Sequence, residues 1–305
     1  MLKKKILIVG GTGFFGFHLL KFFLKLNWSV FSLSKSRPNY LRALKNIKYL
    51  HGDISKKDSI KFLKDYNFNY IVNCGGYVDH VSKIKTLKTH FIGCKNLYQI
   101  FADKKIQTFV QIGSSSEYGK IKSPLRETQL GKAKTIYGRS KLRASKFLLS
   151  LKNRNFPFVI IRPFLLYGPF QDNNRFLSFA ISSLIANKKF ACSDCTQYRD
   201  FLYIDDAVKA IKACLGNKKV YGKIINIGFG KSIQLRKAIN IIQKKIKRGK
   251  PDFGKIALRS DEPEIIFPDI KRAKKYLNWK PAISFKQGIT RTINYFKKNS
   301  HIVKI

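Results

Sequence analysis

Carboxylates are scarce in this chain: Asp and Glu number 17 against 61 Lys and Arg, for a formal net charge of +44 at pH 7. Such an excess of cations raises nucleic acid or a membrane surface as a partner. Lysine, asparagine, isoleucine and phenylalanine are all abundant, however, and all have A/T-rich codons. The positive charge also runs along the whole length instead of gathering in one tail or one helix. Base composition accounts for that distribution, so no specific nucleic-acid partner is expected. The field would still draw in an anionic substrate such as a nucleotide diphosphate.

No apolar run reaches membrane-spanning length, and Phe22-Phe23-Leu24 is flanked by lysines. The start, Met1-Leu2-Lys3-Lys4-Lys5, has the charge of a signal peptide. Its apolar run, Ile6–Val9, is too short for one and ends in glycines, not in a small-residue cleavage site. A cytoplasmic protein is expected. Cys74, Cys94, Cys192, Cys195 and Cys214 are odd in number and scattered, which argues against a disulfide framework. Cys192-Ser193-Asp194-Cys195 has the spacing of a metal knuckle, but no second Cys pair or His pair follows at zinc-finger spacing, so no metal is expected. Repeats and long linkers are also missing, and 305 residues suffice for one large core or two coupled lobes.

What is present begins with strand, turn and helix. Lys5–Val9 reads as a short buried strand, Gly10-Gly11-Thr12-Gly13-Phe14-Phe15-Gly16 as a glycine turn, and His18–Leu26 as a helix. Glycines let the backbone turn tightly and approach a pyrophosphate, while the helix N-terminus offers free N–H groups and a positive dipole end. A dinucleotide is therefore expected against Gly10, Thr12, Gly13, Phe14, Phe15 and Gly16. The second strand, Ser29–Leu33, leads into Ser34-Lys35-Ser36-Arg37. No acid stands there to hold a ribose 2′-hydroxyl, and Lys35 and Arg37 suit a 2′-phosphate, so NADP is expected ahead of NAD.

Later strands end at His51, Asn73 and Ile112. They run into Gly52-Asp53-Ile54, Cys74-Gly75-Gly76 and Gly113-Ser114-Ser115-Ser116-Glu117-Tyr118-Gly119. Asp53 could accept from an adenine amino group or cap the next helix. Paired glycines after a strand allow backbone to approach a ligand closely. Asp53, Ile54, Cys74, Gly75 and Gly76 complete the expected cofactor lining. A helix over about 85–104 and a sixth strand at Phe158–Ile161 continue the alternation. The pattern predicts an α/β protein: a doubly wound parallel sheet of Rossmann type over 1–165, with contributions from about 200–228. A smaller α/β lobe over 166–305, including a helix at Phe176–Ala186 and a strand at Ile224–Asn226, would hold the substrate.

Tyr137-Gly138-Arg139-Ser140-Lys141 opens another helix. Residues four apart share a helix face, so the phenol and the ammonium point into the same space. A phenol is a poor base at neutral pH unless its oxyanion is favoured. An ammonium one turn away, beside an oxidised nicotinamide, acts in that direction. The pair can thus exchange a proton in a carbonyl/alcohol interconversion.

With the glycine turn, the Ser114 cluster before Tyr118-Gly119, and Tyr137 to Lys141 in this order, the chain resembles the extended short-chain dehydrogenase/reductases, in their nucleotide-sugar epimerase/dehydratase group. Arg162-Pro163 with Tyr167-Gly168-Pro169, Arg199-Asp200-Phe201 with Asp205-Asp206, Asn226-Ile227-Gly228, and Leu277-Asn278-Trp279-Lys280-Pro281 extend the likeness over nearly the whole length. The resemblance implies that Tyr137 is the catalytic acid/base and that Lys141 binds the nicotinamide ribose and favours the phenolate. Ser114 would hydrogen-bond the reacting sugar oxygen, with Ser115 and Ser116 beside the substrate. Arg199 and Arg259 would hold the nucleotide diphosphate, an anion that suits an arginine fork. A homodimer through the helices near 85–104 and 137–153 is implied as well.

The sequence departs from the family pattern in three places. The sugar dehydratases of the group carry Asp-Glu directly after the catalytic Thr, where this chain has Ser115-Ser116. No carboxylate stands there for the second proton transfer, and Glu117, one position on, is a weak substitute. The asparagine expected between Arg162 and Tyr167 is missing from Pro163-Phe164-Leu165-Leu166. The one expected before Gly93 is replaced by His90. An enzyme that moves a hydride between NAD(P) and a carbon of a nucleotide-diphosphate sugar is thus expected. The lean is to a 4-keto-sugar reductase, with a 4-epimerase that keeps NAD tightly bound as the alternative. A non-catalytic NADP-binding protein would be expected to have lost Tyr137 or Lys141.

Overall fold

The computed structural model describes residues 3–77, 82–258 and 262–299. Strands β1 (Lys5–Val9), β2 (Ser29–Ser34), β3 (Lys48–His51), β4 (Tyr70–Asn73), β5 (Thr108–Ile112) and β6 (Phe158–Pro163) join a seventh strand, Lys223–Ile227, in one parallel sheet. The order across it is seventh, β6, β5, β4, β1, β2, β3.

Successive side chains of a strand point to opposite faces, and a sheet covered on both faces therefore needs nearly unbroken apolar runs. Ile6, Ile8, Val72, Val110, Val159 and Ile225 pack with α1 (Phe14–Lys25) and with the helices Ile204–Cys214 and Lys271–Leu277. Their alternates Leu7, Val9, Ile71, Phe109, Phe158 and Ile160 pack with α3 (Gly93–Phe101) and α4 (Ile136–Ser150). Each such side chain taken fully out of water contributes about 1.5–3 kcal/mol. This is the expected doubly wound α/β arrangement. Strand order reverses between β1 and β4, so the loops leaving their carboxyl ends diverge and open a crevice there.

The elements differ from expectation in detail. α1 starts at Phe14, four residues before the predicted His18, because Gly13 is extended (φ −80°, ψ 169°) and serves as its N-cap. Phe14, Phe15 and Gly16 are thus the first helical turn. β2 runs one residue further, through Ser34. The helix predicted over 85–104 is α2 (Lys83–Leu87), a π turn (Lys88–Ile92) and α3 in continuous succession. Single π turns inside helices often mark functional positions.

Beyond β6, helices Phe176–Ile185, Leu235–Ile246 and Phe285–Lys298 gather round Leu177, Ile181, Leu184, Ile239, Ile242, Ile289, Ile293 and Phe296. A two-residue strand, Tyr198–Arg199, pairs antiparallel with Ile233–Gln234 and parallel with Ile265–Ile266. Among the described residues, no helix is long and apolar enough to cross a membrane.

Candidate active site

The glycine turn folds tightly because its backbones touch. Gly10 has φ +76°, and a Cβ there would lie 3.0 Å from the Cys74 carbonyl and from Gly75 Cα. A Cβ on Gly16 would lie 2.2 Å from the Gly10 carbonyl oxygen, so the first turn of α1 rests directly on the loop. The Gly13 cap brings no side-chain hydrogen bond, and the first turn of α1 holds no acid. A cradle of bare backbone at the positive end of a helix fits a dinucleotide pyrophosphate.

Ser34, Cys74 and Gly75 touch this cradle, and Ile54 packs on Gly75. The Thr12 N–H donates to Ser34 Oγ at 3.4 Å. Lys35 Nζ is 3.3 Å from Asp53 Oδ2, and Asp53 Oδ1 accepts from the N–H and hydroxyl of Ser55 at 2.9 and 2.7 Å. Partial burial pushes the Asp53 carboxyl up, but the Ser55 bonds and Lys35 outweigh it and hold the group below its ordinary value. Ile54 closes the floor, its Cδ1 2.8 Å from where a Gly75 Cβ would stand. Arg37 is exposed.

The residues expected to carry the proton transfer lie at the end of β5. Thr135 caps α4, its Oγ1 accepting from the Gly138 N–H at 3.0 Å. Tyr137 and Lys141 follow one turn apart. Lys141 is buried, and its ammonium donates to the Ile112 carbonyl at 2.8 Å and stands 5.9 Å from the centre of the Tyr137 ring. Ser114, two residues beyond Ile112, is buried, and its Oγ accepts from the Ser116 N–H at 3.1 Å. That bond leaves the hydroxyl proton of Ser114 to donate elsewhere. Ser115 is half-buried and Ser116 exposed.

His90 connects the two groups. Its buried imidazole meets the Tyr137 ring edge to face at a 5.1 Å centroid separation, and its Nε2 lies 3.3 Å from the Tyr77 carbonyl oxygen. A Cβ on Gly76 would stand 2.5 Å from His90 Cε1. The sequence signal is a histidine where the family pattern has asparagine. Its contact with Tyr137 depends on the π turn, which no local pattern announces.

Glu117 is taken up by the fold. Its Oε2 is 2.7 Å from Arg162 Nη2, its Oε1 accepts from the Ser114 N–H, and it is fully buried. It has no freedom to replace the missing Asp-Glu. Arg199 is buried and already engaged: Nη2 lies 2.5 Å from Glu262 Oε1, and Nη1 donates to the carbonyls of Tyr198 and Glu264. A diphosphate there would have to share the guanidinium with Glu262. Beside it, Asp200 accepts from the N–H groups of Phe229 and Gly230 at 2.8 and 2.7 Å; burial nevertheless pushes its carboxyl up to about 7. Arg259 lies outside the described residues. Cys192 and Cys195 are free and buried in the loop before Tyr198.

Residues 6–228 match the model of the NAD dependent epimerase/dehydratase family. Over 308 residues the chain is 29% identical to an uncharacterized UDP-glucose epimerase, YtcB, of Bacillus subtilis, with 95% of this chain and 97% of that protein covered. Over 321 residues it is 26% identical to the UDP-glucuronate 4-epimerase of Thermodesulfobacterium geofontis, with 98% of each covered. The crystal structure of UDP-glucuronic acid 4-epimerase from Bacillus cereus, in complex with UDP-glucuronic acid and NAD, matches at a TM-score of 0.86 and 26% identity. That match covers 96% of this chain and 99% of the other.

Proposed function

The chain belongs to the NAD-dependent epimerase/dehydratase family, and from that premise we propose that it is a nucleotide-sugar 4-epimerase that keeps its NAD through the cycle. One observation argues against dehydratase chemistry. Tyr137, Lys141 and Ser114 gather at the end of β5, while the carboxylate beside Ser114, that of Glu117, is locked in an ion pair with Arg162. The group can move a hydroxyl proton but, among the described residues, has no second free acid for eliminating water. The names of the 4-epimerase relatives support the same reading.

Gly10, Thr12, Gly13 and the first turn of α1 (Phe14, Phe15, Gly16) would hold the pyrophosphate. Asp53 and Ile54 would meet the adenine, with Ser34, Lys35 and Arg37 near its ribose, and Cys74, Gly75 and Gly76 would line the middle. Lys141 would hold the nicotinamide ribose. When bound, NAD supplies the acceptor and then the donor of a hydride. Tyr137 takes the hydroxyl proton as the sugar carbinol becomes a ketone, and returns it when the ketone is reduced on its opposite face. The carbon is inverted with no net oxidation. Ser114 donates its free proton to the same oxygen throughout. Arg199 and Arg259, from the 166–305 substrate lobe, would hold the diphosphate, with Ser115 and Ser116 beside the sugar. A homodimer through α3 and α4 belongs to the same reading.

A second reading, a 4-keto-sugar reductase using NADPH, is favoured by one observation: β2 ends at Ser34 with exposed Lys35 and Arg37 beyond it. Against it, Lys35 is paired to Asp53, whose negative charge would face a 2′-phosphate. The test is incubation of the pure protein with UDP-glucuronate and with UDP-glucose, no cofactor added, followed by proton NMR of the anomeric region. Appearance of the 4-epimer is expected. Oxidation of NADPH by a nucleotide 4-keto-6-deoxy sugar, with neither UDP-sugar epimerised, would overturn the proposal in favour of the reductase.

A further inference from the structure

In a chain short of carboxylates, Glu117 is spent entirely inside the protein. Its Oε1 accepts from the Ser114 N–H at 2.8 Å. Its Oε2 accepts from Ser145 Oγ at 2.7 Å and from Arg162 Nε and Nη2 at 2.9 and 2.7 Å. Three elements thus meet on one carboxylate: the loop that carries Ser114, helix α4 and strand β6. Tyr137, Lys141 and Ser145 are spaced four apart, so they lie along one face of α4. The side of Glu117 that reaches α4 therefore binds the same face that presents the phenol and the ammonium. Behind it, the Arg162 guanidinium stacks on Tyr118 at 4.5 Å, and the Tyr118 hydroxyl donates to Asn226 of the seventh strand at 2.8 Å.

Net stability alone gives little reason for a buried charge pair here. A buried ion pair gives back in attraction about what it loses in desolvation, and a well-packed apolar substitute often does as well. Here the pair also leaves Arg162 Nη1 buried without a partner among the described residues. Position 113 is confined to glycine by it, since a Cβ there would lie 2.3 Å from Glu117 Oε1. What the carboxylate supplies is a fixed geometry.

We propose that Glu117 is a positioning residue for the 4-epimerase reaction: by bridging the Ser114 N–H to Ser145 and Arg162, it sets the Ser114 hydroxyl at its working distance from Tyr137 and Lys141. The proposal rests on the epimerase reading of the site. Displacing a reacting group by a fraction of an ångström to an ångström costs up to about 100-fold in rate.

The experiment is a double-mutant cycle on the full-length protein, measuring kcat, KM for UDP-glucuronate and co-purified NAD. Glu117→Gln should lower kcat about 10- to 100-fold and leave NAD content and KM near the wild-type values. In a Ser114→Ala background the same change should do almost nothing to kcat, because the group it acts through is gone. Equal fold-losses in both backgrounds would show a merely structural role and overturn the proposal alone. Undiminished turnover in Ser114→Ala would overturn the proposal together with the assigned role of Ser114. If Glu117→Gln does not fold, Ser145→Ala removes a single donor from the carboxylate and takes its place in the same cycle, with a smaller loss in kcat and the same two refuting outcomes.

Discussion

Acid should loosen α1 from the loop that crosses it. His18 is 8% exposed and lies edge-on to Phe14, Phe17 and Phe170 at 5.3, 5.3 and 6.0 Å. Its Nε2 is 2.9 Å from the Pro169 carbonyl oxygen. Burial is the main reason the imidazole is held down from 6.5 to about 4; the Pro169 carbonyl opposes that, and Lys21 and Arg42 add to it. In the unfolded chain His18 takes its proton first. Its contribution is therefore complete above pH 6.5 and is lost as the pH falls toward 4. A depression of about 2.5 units, at about 1.4 kcal/mol each, makes that loss about 3 kcal/mol. Asp200 works in the opposite sense. Burial pushes it up from 3.8 to about 7, so the folded state takes its proton first and gains stability across the same window. The overall pH profile mixes the two, and the informative quantity is a difference. Urea unfolding of the wild type and of His18→Asn should be followed from pH 7.5 to pH 4, where the Asp200 contribution is common to both proteins and cancels. The stability gap between them should shrink by about 3 kcal/mol on acidification. A gap that stays constant with pH would show that His18 is not held neutral by its surroundings.

Tyr137→Phe removes only the phenolic oxygen and should lower epimerase turnover by about 10²–10⁴-fold, with the unfolding midpoint and bound NAD unchanged; wild-type turnover would refute the acid/base role. Gly16→Ala places a methyl 2.2 Å from the Gly10 carbonyl oxygen and 2.7 Å from Gly11 Cα. It should cost about 1–3 kcal/mol and strip the co-purifying nucleotide, read by mass spectrometry of the denatured protein. Asp53→Ala releases Lys35 from its carboxylate and should shift preference from NAD toward NADP by several-fold in a fluorescence titration; an unchanged ratio would show that Lys35 does not face the adenosine ribose.

Local pattern carries the strands because each is a short apolar run stopped by glycine or a polar turn: Ile6 to Val9 before Gly10, Ile71 to Asn73 before Gly75, Phe109 to Ile112 before Gly113. Tyr137 and Lys141 are legible for the same reason, since helix periodicity alone puts them on one face. What escapes depends on contacts between distant parts of the chain. Glu117 can be weighed as a stray acid near Ser114, but its fate is set by Ser145, 28 residues on, and Arg162, 45 residues on. Lys35 reads as a partner for phosphate until Asp53 is seen beside it, and Arg199 until Glu262 is. The first turn of α1 reads as loop because Phe14-Phe15-Gly16 carries no capping side chain; the cap is the backbone of Gly13 itself.

The strand Lys223–Ile227 comes home late. It pairs with Val159–Pro163 only after the chain has passed through two helices, Phe176–Ile185 and Ile204–Cys214. A fragment ending near residue 165 would be left with β6 as a bare margin, its backbone amides and carbonyls open along a run of Val159, Ile160 and Ile161. Such a margin recruits the same margin of a neighbour. An amino-terminal half made alone is therefore expected to aggregate through that margin, which its late-arriving mate covers in the whole chain.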